Sequence, residues 1–223
     1  MKVLAIVPAY NEQDNILKVI KDLEVNCPEC DYIVINDCSN DDTKEILEKE
    51  NIPHIDLITN LGLSGAVQTG YKYAWYNGYD AAIQFDGDGQ HRAEDISTLV
   101  EEIKSGYNIV IGSRFVNIKK PISLRMLGSR IITAAIHLTT GQKIADPTSG
   151  MRILDRELIK DYAFGLNRKP EPDTLAYQIK KGYKVKEVQV EMRERIAGTS
   201  IYSGLGSSIK YMVKTIITIL FFN

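Results

Sequence analysis

The chain of 223 residues is poor in the residues that mark several common functions: three cysteines, three histidines, one tryptophan, and a net charge of only −2. So small an imbalance offers no global attraction to nucleic acid. Cys27 and Cys30 have CxxC spacing, but Cys38 is the only other thiol, too few for a four-ligand structural zinc site. A redox CxxC is expected to open a helix after a strand, whereas CPEC precedes the apolar run DYIVI, so free thiols are expected. No signal peptide is visible, because Met1-Lys2 runs straight into VLAIVP without a small-residue cleavage pattern; a cytosolic chain is the expectation. The closing run SSIKYMVKTIITILFFN is interrupted by Lys214 and too short to span a bilayer. There is no GxGxxG after the first apolar run and no GxxxxGK[ST], which removes support for dinucleotide and P-loop sites. Repeats and low-complexity linkers are also missing.

What is present is a core-forming composition, 44% hydrophobic, and a regular alternation of strand-length and helical patterns. Val3 to Val7, Tyr32 to Ile35, His54 to Ile58, Ala81 to Phe85 and Ile109 to Ile111 read as strands. Helical patterns follow Asn11-Glu12, occupy Gly65 to Trp75 and Ala93 to Ile103, and start at SNDDTKEIL, where cap-type residues and early acids suit a helix N-terminus. Strands without polar alternation, separated by helices, imply a mostly parallel, Rossmann-like α/β sheet covered on both faces. Further on, ISLRMLGSRIITAAIHL predicts an amphipathic helix with Leu124, Leu127, Ile131, Ile132, Ala135 and Leu138 on its apolar stripe. A helix near Thr174 to Lys181 and a strand-like YKVKEVQVEMRER complete the pattern.

In such sheets ligands bind beyond the carboxyl ends of the strands. The segments there are Pro8-Ala9-Tyr10-Asn11-Glu12, Asn36-Asp37-Cys38-Ser39, Asp86-Gly87-Asp88 and Gly112-Ser113-Arg114, three of them carrying acids. Asp86 and Asp88 are separated by one glycine and can turn toward one Mg²⁺ or Mn²⁺, which takes one or two carboxylates from protein and completes its shell with water and substrate phosphates. Gln90 offers a further oxygen, and Gly87 and Gly89 permit close backbone approach. Taken alone, the same stretch reads as an ordinary Gly/Asp turn, and only its neighbours at the edge shift the balance toward a metal site. Asp37 suits either acceptance from a nucleobase N–H or a helix cap, and the PAYNE turn is shaped to hold a base and ribose.

VPAYNE, NDCSNDDT, NLGLSGA, FDGDGQH, GSR and DPTSGMR, in this order, resemble the family 2 glycosyltransferases of the GT-A fold. The likeness is strongest to the branch that includes dolichol-phosphate mannose synthase and bacterial polyprenyl-phosphate glycosyltransferases. It covers roughly residues 2 to 200, and six ordered motifs are jointly specific. The resemblance implies inverting transfer of a sugar from a nucleotide donor (UDP-, GDP- or dTDP-linked). Pro8, Ala9, Tyr10, Glu12 and Asp37, with Gly65 and Gly87, match nucleotide-binding positions; Asp86, Asp88 and Gln90 match the positions for Mg²⁺ or Mn²⁺ and diphosphate. Arg114 matches a phosphate-contacting arginine, Asp146 a residue near the transferred sugar, and Arg193, Arg195 and Ser200 a loop that closes on donor and acceptor phosphates. The expected division is a GT-A domain at 1–200, with a nucleotide-binding half at 1–114 and an acceptor half at 115–200, then an amphipathic helix at 201–223.

Relatives that glycosylate hydroxyls carry a Glu-Asp pair whose Asp is the general base. Here PEPDTLAY puts Pro172 at that place, with Asp173 one residue on. A hydroxyl needs a base, whereas a phosphate monoester, with a second pKa of about 6, is already largely dianionic. This favours a polyprenyl-phosphate acceptor over a glycan hydroxyl served by Asp173 or Asp146. The charge distribution agrees: between Gly112 and Ala145 lie Arg114, Lys119, Lys120, Arg125, Arg130 and Lys143 and no acid, and the stretch from Arg193 onward adds three net positive charges. Each basic group near an anionic surface contributes about 1 kcal/mol, so peripheral docking at the inner face of the plasma membrane is expected. A core or oligomer-interface role for the apolar helix is the alternative. Two other classes are a nucleotidyltransferase, for which PAYNE lacks the Gly-rich basic signature, and a noncatalytic partner of an integral-membrane enzyme. His91 and His137 attract no role.

Overall fold

The computed structural model describes residues 1–166, 169–193 and 205–221, without the side chains of 124, 125 and 205–209. Seven strands form one sheet: β1 (Val3–Ala9), β2 (Asp31–Asn36), β3 (His54–Asp56), β4 (Ala81–Gln84), β5 (Ile109–Ser113), β6 (Arg152–Asp155) and β7 (Val185–Gln189). Their order is β3-β2-β1-β4-β6-β5-β7. Only β6 runs against its neighbours, pairing antiparallel with β4 and β5; the other pairings are parallel. This is the mostly parallel, Rossmann-like sheet expected from the sequence. The strands read from the sequence are all present. β6 is an addition, and β7 stops at Gln189 rather than running on to residue 195.

The helices are α1 (Ile16–Asn26), α2 (Thr43–Lys49), α3 (Gly62–Tyr76), α4 (Ile96–Lys104, entered through a 3₁₀ turn at Ala93–Asp95), α5 (Leu124–Thr140), α6 (Arg156–Phe164), α7 (Pro172–Lys180) and α8 (Leu205–Phe221). Local chemistry sets several of their ends. Ser123 Oγ accepts the Met126 N–H at 3.2 Å at the start of α5, and Gly141 at φ 73° ends it. Asp155 caps α6 through the Leu158 N–H at 2.9 Å. Pro172 opens α7, where a missing N–H costs nothing.

Successive side chains of a strand point to opposite faces, so β1 feeds two cores. Leu4 and Ile6 pack with Val67 and Tyr71 of α3, Ile132 and Ile136 of α5, Leu158 of α6 and Leu175 of α7. Val3, Ala5 and Val7 pack on the other face with Ile16, Val19, Ile20 and Leu23 of α1 and Ile96 and Leu99 of α4. Gly70 lets α3 lie on β1, since a Cβ there would come within 2.2 Å of Ile6 Cγ2. Cys27 and Cys30 are buried free thiols in the second core.

The C-terminal helix is built into the first core: Ile219 is fully buried, Met212 and Ile216 pack beside it, and Gly128 of α5 admits Met212 Sδ to 2.5 Å from where a Cβ would stand. The apolar stripe read for α5 therefore divides. Ile132 and Ala135 enter the core, while Leu127, Ile131 and Leu138 remain exposed, as do Val213, Ile217, Leu220 and Phe221 of α8. Among the described residues no helix is long and apolar enough to cross a membrane.

Candidate active site

The strand faces are apolar except at the carboxyl edge, where Asn36, Gln84, Ser113 and Arg152 are buried and polar, so the polar residues there have chiefly one another and a ligand to meet. The β1–α1 and β2–α2 loops are laced together there. Asn11 N–H donates to Ser39 Oγ (3.0 Å), Glu12 N–H to Thr43 Oγ1 (2.9 Å) and Gln13 N–H to Asp41 Oδ2 (3.2 Å). In return Asn40 N–H donates to Asn11 Oδ1 (2.8 Å) and Asp42 N–H to Gln13 Oε1 (2.9 Å). Asn11 and Cys38 adopt left-handed backbone at φ 57° and 59°, natural for Asn and costly for Cys. Asp37 is buried; its N–H donates to Ala9 O at 2.8 Å and its Oδ1 accepts from Leu61 N–H at 2.7 Å. That second bond draws in the start of α3, which carries Gly65. Tyr10 is exposed over the same edge, with its hydroxyl near Asn40 Nδ2 at 3.4 Å.

The aspartate pair lies against this floor. A Cβ on Gly87 would stand 2.8 Å from Pro8 O and 3.6 Å from Glu12 Cγ, so this position demands glycine and the two loops touch. Asp88 is buried and its Oδ1 accepts the Gln90 N–H at 3.1 Å. Asp86 is partly exposed; Gln84 Nε2 donates to its Oδ1 at 2.7 Å, its own N–H donates to His91 Nδ1 at 3.0 Å, and His91 Nε2 stands 3.5 Å from its Oδ2.

Beyond Asp86 comes the DPTSG segment, whose Gly150 leaves room for Asp86 Oδ2 at 2.9 Å from a would-be Cβ. Ser149 Oγ donates to Gly112 O, and the buried Arg152 guanidinium ties the Pro147, Ser149 and Glu171 carbonyls. Asp146 is fully buried and bidentate with Arg114, Nε to Oδ2 at 2.7 Å and Nη2 to Oδ1 at 2.9 Å. Glu187 of β7 accepts the backbone N–H groups of Ala145 and Asp146. Lys120 reaches Ser129 Oγ at 2.7 Å and Thr133 Oγ1 at 3.3 Å; burial lowers its pKa while Asp146 and Glu187 oppose the shift. Burial and then repulsion from Asp173 raise the Glu171 carboxyl.

Thus Pro8, Ala9, Tyr10, Glu12, Asp37, Gly65, Asp86, Gly87, Asp88, Gln90, Arg114 and Asp146 form one continuous edge. Asp173 joins it at one remove, through Arg152 and the start of α7. Arg193 sits beside it by backbone, its N–H on Gln90 O at 2.9 Å, but its guanidinium is turned to Asp22 of α1 at 3.0 and 3.3 Å. Burial raises the Asp22 carboxyl, and bonds from Arg193, Asn26 and the Ala93 N–H more than reverse this. Arg195 and Ser200 lie outside the described residues.

Residues 4–163 match the family described as Glycosyl transferase family 2. The chain belongs to that family. It is 27% identical over 222 residues to the polyprenol monophosphomannose synthase of Mycolicibacterium smegmatis, covering 91% of this chain and 82% of that one. It is 33% identical over 171 residues to the dolichol-phosphate mannosyltransferase of Pyrococcus furiosus, covering 72% and 48%. Among solved structures, glucosyl-3-phosphoglycerate synthase from Mycobacterium tuberculosis with Mn²⁺, UDP and phosphoglyceric acid has a TM-score of 0.75 at 18% identity, over 98% of this chain and 78% of that chain. The protein is therefore a family 2 glycosyltransferase with the GT-A fold.

Four residues of this glycosyltransferase's site escape sequence reading: Gln84, His91, Arg152 and Glu187. Each acts on a main-chain group or a carboxylate that sequence spacing does not reveal, although His91 and Arg152 close the FDGDGQH and DPTSGMR motifs. A cluster of metal-type side chains, Glu48, His54 and Asp56, also escaped it, but Lys44 already stands 3.1 Å from Asp56 and 3.7 Å from Glu48. The Arg114–Asp146 pair has a measurable consequence. Arg114→Ala strands a buried carboxylate and is expected to cost about 3–5 kcal/mol in urea unfolding. A loss below about 1 kcal/mol would mean that Asp146 finds another partner.

Proposed function

We propose that this glycosyltransferase moves a sugar from a nucleotide donor to a polyprenyl phosphate, with inversion at the anomeric carbon, while docked on the inner face of the plasma membrane. The observation that carries the acceptor assignment is the state of the carboxylates where a base would be needed. Asp146 is fully buried and its oxygens accept from Arg114 and Thr148, so it has no exposed face with which to deprotonate a hydroxyl. Pro172 stands where the resemblance expects the base. An acceptor that arrives as a phosphate needs none. The mannosyltransferase relatives named above, and an undecaprenyl-phosphate mannosyltransferase of Micrococcus luteus at 28% identity over 221 residues, support the same acceptor class.

The donor set of Asp86 and Asp88 fits Mg²⁺ or Mn²⁺: two carboxylates, hard oxygens, one half-open to solvent and a substrate phosphate. When bound there, such an ion offsets charge on the departing diphosphate. The chain's own groups do the rest. Asp37 accepts from the nucleobase, the Pro8–Glu12 turn holds the ribose, and the two laced loops keep that floor rigid. Arg114 is fixed by Asp146 with Nη1 uncommitted among the described residues, so the guanidinium is pre-oriented for an acceptor phosphate. The structural relatives bound to Mn²⁺ and UDP support the donor side.

Docking rests on the exposed apolar rows of α5 and α8, which share a packed interface, and on the exposed Lys119, Arg130, Lys210 and Lys214 near them. Apolar insertion and basic charge together supply the two signals that stable peripheral binding needs.

Asp86→Ala is expected to abolish transfer to undecaprenyl phosphate while the far-ultraviolet circular dichroism stays unchanged. Near-normal turnover by that variant, or transfer by the parent to glycan hydroxyls but never to the lipid phosphate, would contradict the reading. Leu127→Glu with Ile131→Glu should release the chain from phosphatidylglycerol vesicles in co-sedimentation. Undiminished pelleting would remove α5 from the docking surface.

A further inference from the structure

Asp86 is flanked on both oxygens: Gln84 bonds its Oδ1, and His91, which accepts its backbone N–H, stands 3.5 Å from its Oδ2. Gln84 is the last residue of β4 and 1% exposed, in a strand whose other members are Ala81, Ala82 and Ile83. A carboxylate can only accept, so the Gln84 amide must turn its nitrogen to Asp86. That leaves Gln84 Oε1 buried with no partner among the described residues. An apolar side chain of the same length would fill the space without that unsatisfied acceptor. His91, 2% exposed, is likewise fixed: its Nδ1 accepts the Asp86 N–H, so the ring proton sits on Nε2, which faces Asp86 Oδ2 at 3.5 Å. The ring is held edge-on to Phe85, centroids 5.5 Å apart. Gly150 closes the third side, where any Cβ would meet Asp86 Oδ2 at 2.9 Å and Gln84 Nε2 at 3.2 Å.

Resting on the metal reading of Asp86 and Asp88 given above, we infer that Gln84 and His91 are positioning residues that clamp the Asp86 carboxylate in one rotamer for the cation. Oδ1 spends one lone pair on Gln84 and keeps one for the ion, while Oδ2 faces the His91 Nε2–H at 3.5 Å. Partners of this kind orient a ligand before the metal arrives, and losing one typically costs 10–100-fold in metal affinity.

The test is Mn²⁺ binding, followed by electron paramagnetic resonance with UDP or GDP present, in the parent chain, Gln84→Met, His91→Asn and His91→Gln. Asparagine keeps an acceptor near Nδ1 and loses the Nε2 donor; glutamine restores a donor at that reach. Gln84→Met and His91→Asn should each weaken Mn²⁺ binding by about 10–100-fold, and His91→Gln should regain part of it. Melting without metal should be unchanged or, for Gln84→Met, higher. A parent that binds Mn²⁺ with variants that bind it equally well overturns the clamp alone. Variants that lose affinity only in step with metal-free melting overturn it too. A parent that binds no Mn²⁺ overturns the metal reading and the clamp with it.

Discussion

A sheet buried on both faces has nowhere to put polar groups except at the ends of its strands, and the rest of this molecule follows from that constraint. Leu4 and Ile6 on one side of β1, and Val3, Ala5 and Val7 on the other, are committed to packing. The chain's polar groups therefore collect at one edge, with Tyr10 and Asn11 exposed, Glu12 and Asp86 half-buried and Asp37 buried beneath them. Two crowded glycines then force the edge segments together. Gly87 brings the aspartate loop onto Pro8, and Gly150 brings the DPTSG segment onto Asp86. What would otherwise be four separate loops becomes one surface, which the proposed function divides into a nucleotide end and an acceptor end.

The acceptor end is built on different principles from the donor end. The donor floor is backbone-rich, a lattice of N–H groups given to Ser39, Thr43, Asp41 and Gln13. The acceptor end is ionic: Arg114, Asp146, Glu187 and Lys120 are half-buried or buried together. Burying charges is expensive unless they are paired and hydrogen-bonded, and here each carboxylate is met by a guanidinium or by backbone N–H groups. A site arranged in this way has little spare basicity, since its two cations and two carboxylates are committed to one another and to the backbone. That is the arrangement on which the proposed phosphate acceptor rests.

Much of this was legible in the sequence because parallel strands buried on both faces leave an unmistakable trace: unbroken apolar runs with the chemistry packed into the few residues after them. The short β6 left no such trace. It begins at Arg152, a buried arginine that holds loop carbonyls, so its apolar run is cut to two residues before the Asp155 cap. Helix α5 was readable as amphipathic, but its stripe could not say which part faced the core, because α8, far along the chain, covers only one side of it. Glu187 and Gln84 were invisible for a related reason. Their partners are an amide 41 residues away and a carboxylate two residues away across a turn, and neither spacing has a signature. Arg193 shows the converse: its motif was readable, yet Asp22 on α1 takes its guanidinium, a pairing across 171 residues.

On the proposed function, the cation and the diphosphate sit at Asp86 and Asp88. Paramagnetic broadening of amide resonances by Mn²⁺ in the presence of UDP or GDP reads this without any turnover. The account predicts that the signals of Gly87 to Gln90, with Ala9 to Glu12 and Gly150, disappear first as Mn²⁺ is added. Broadening centred instead on Glu48, His54 and Asp56, with the Gly87–Gln90 signals intact, would contradict it.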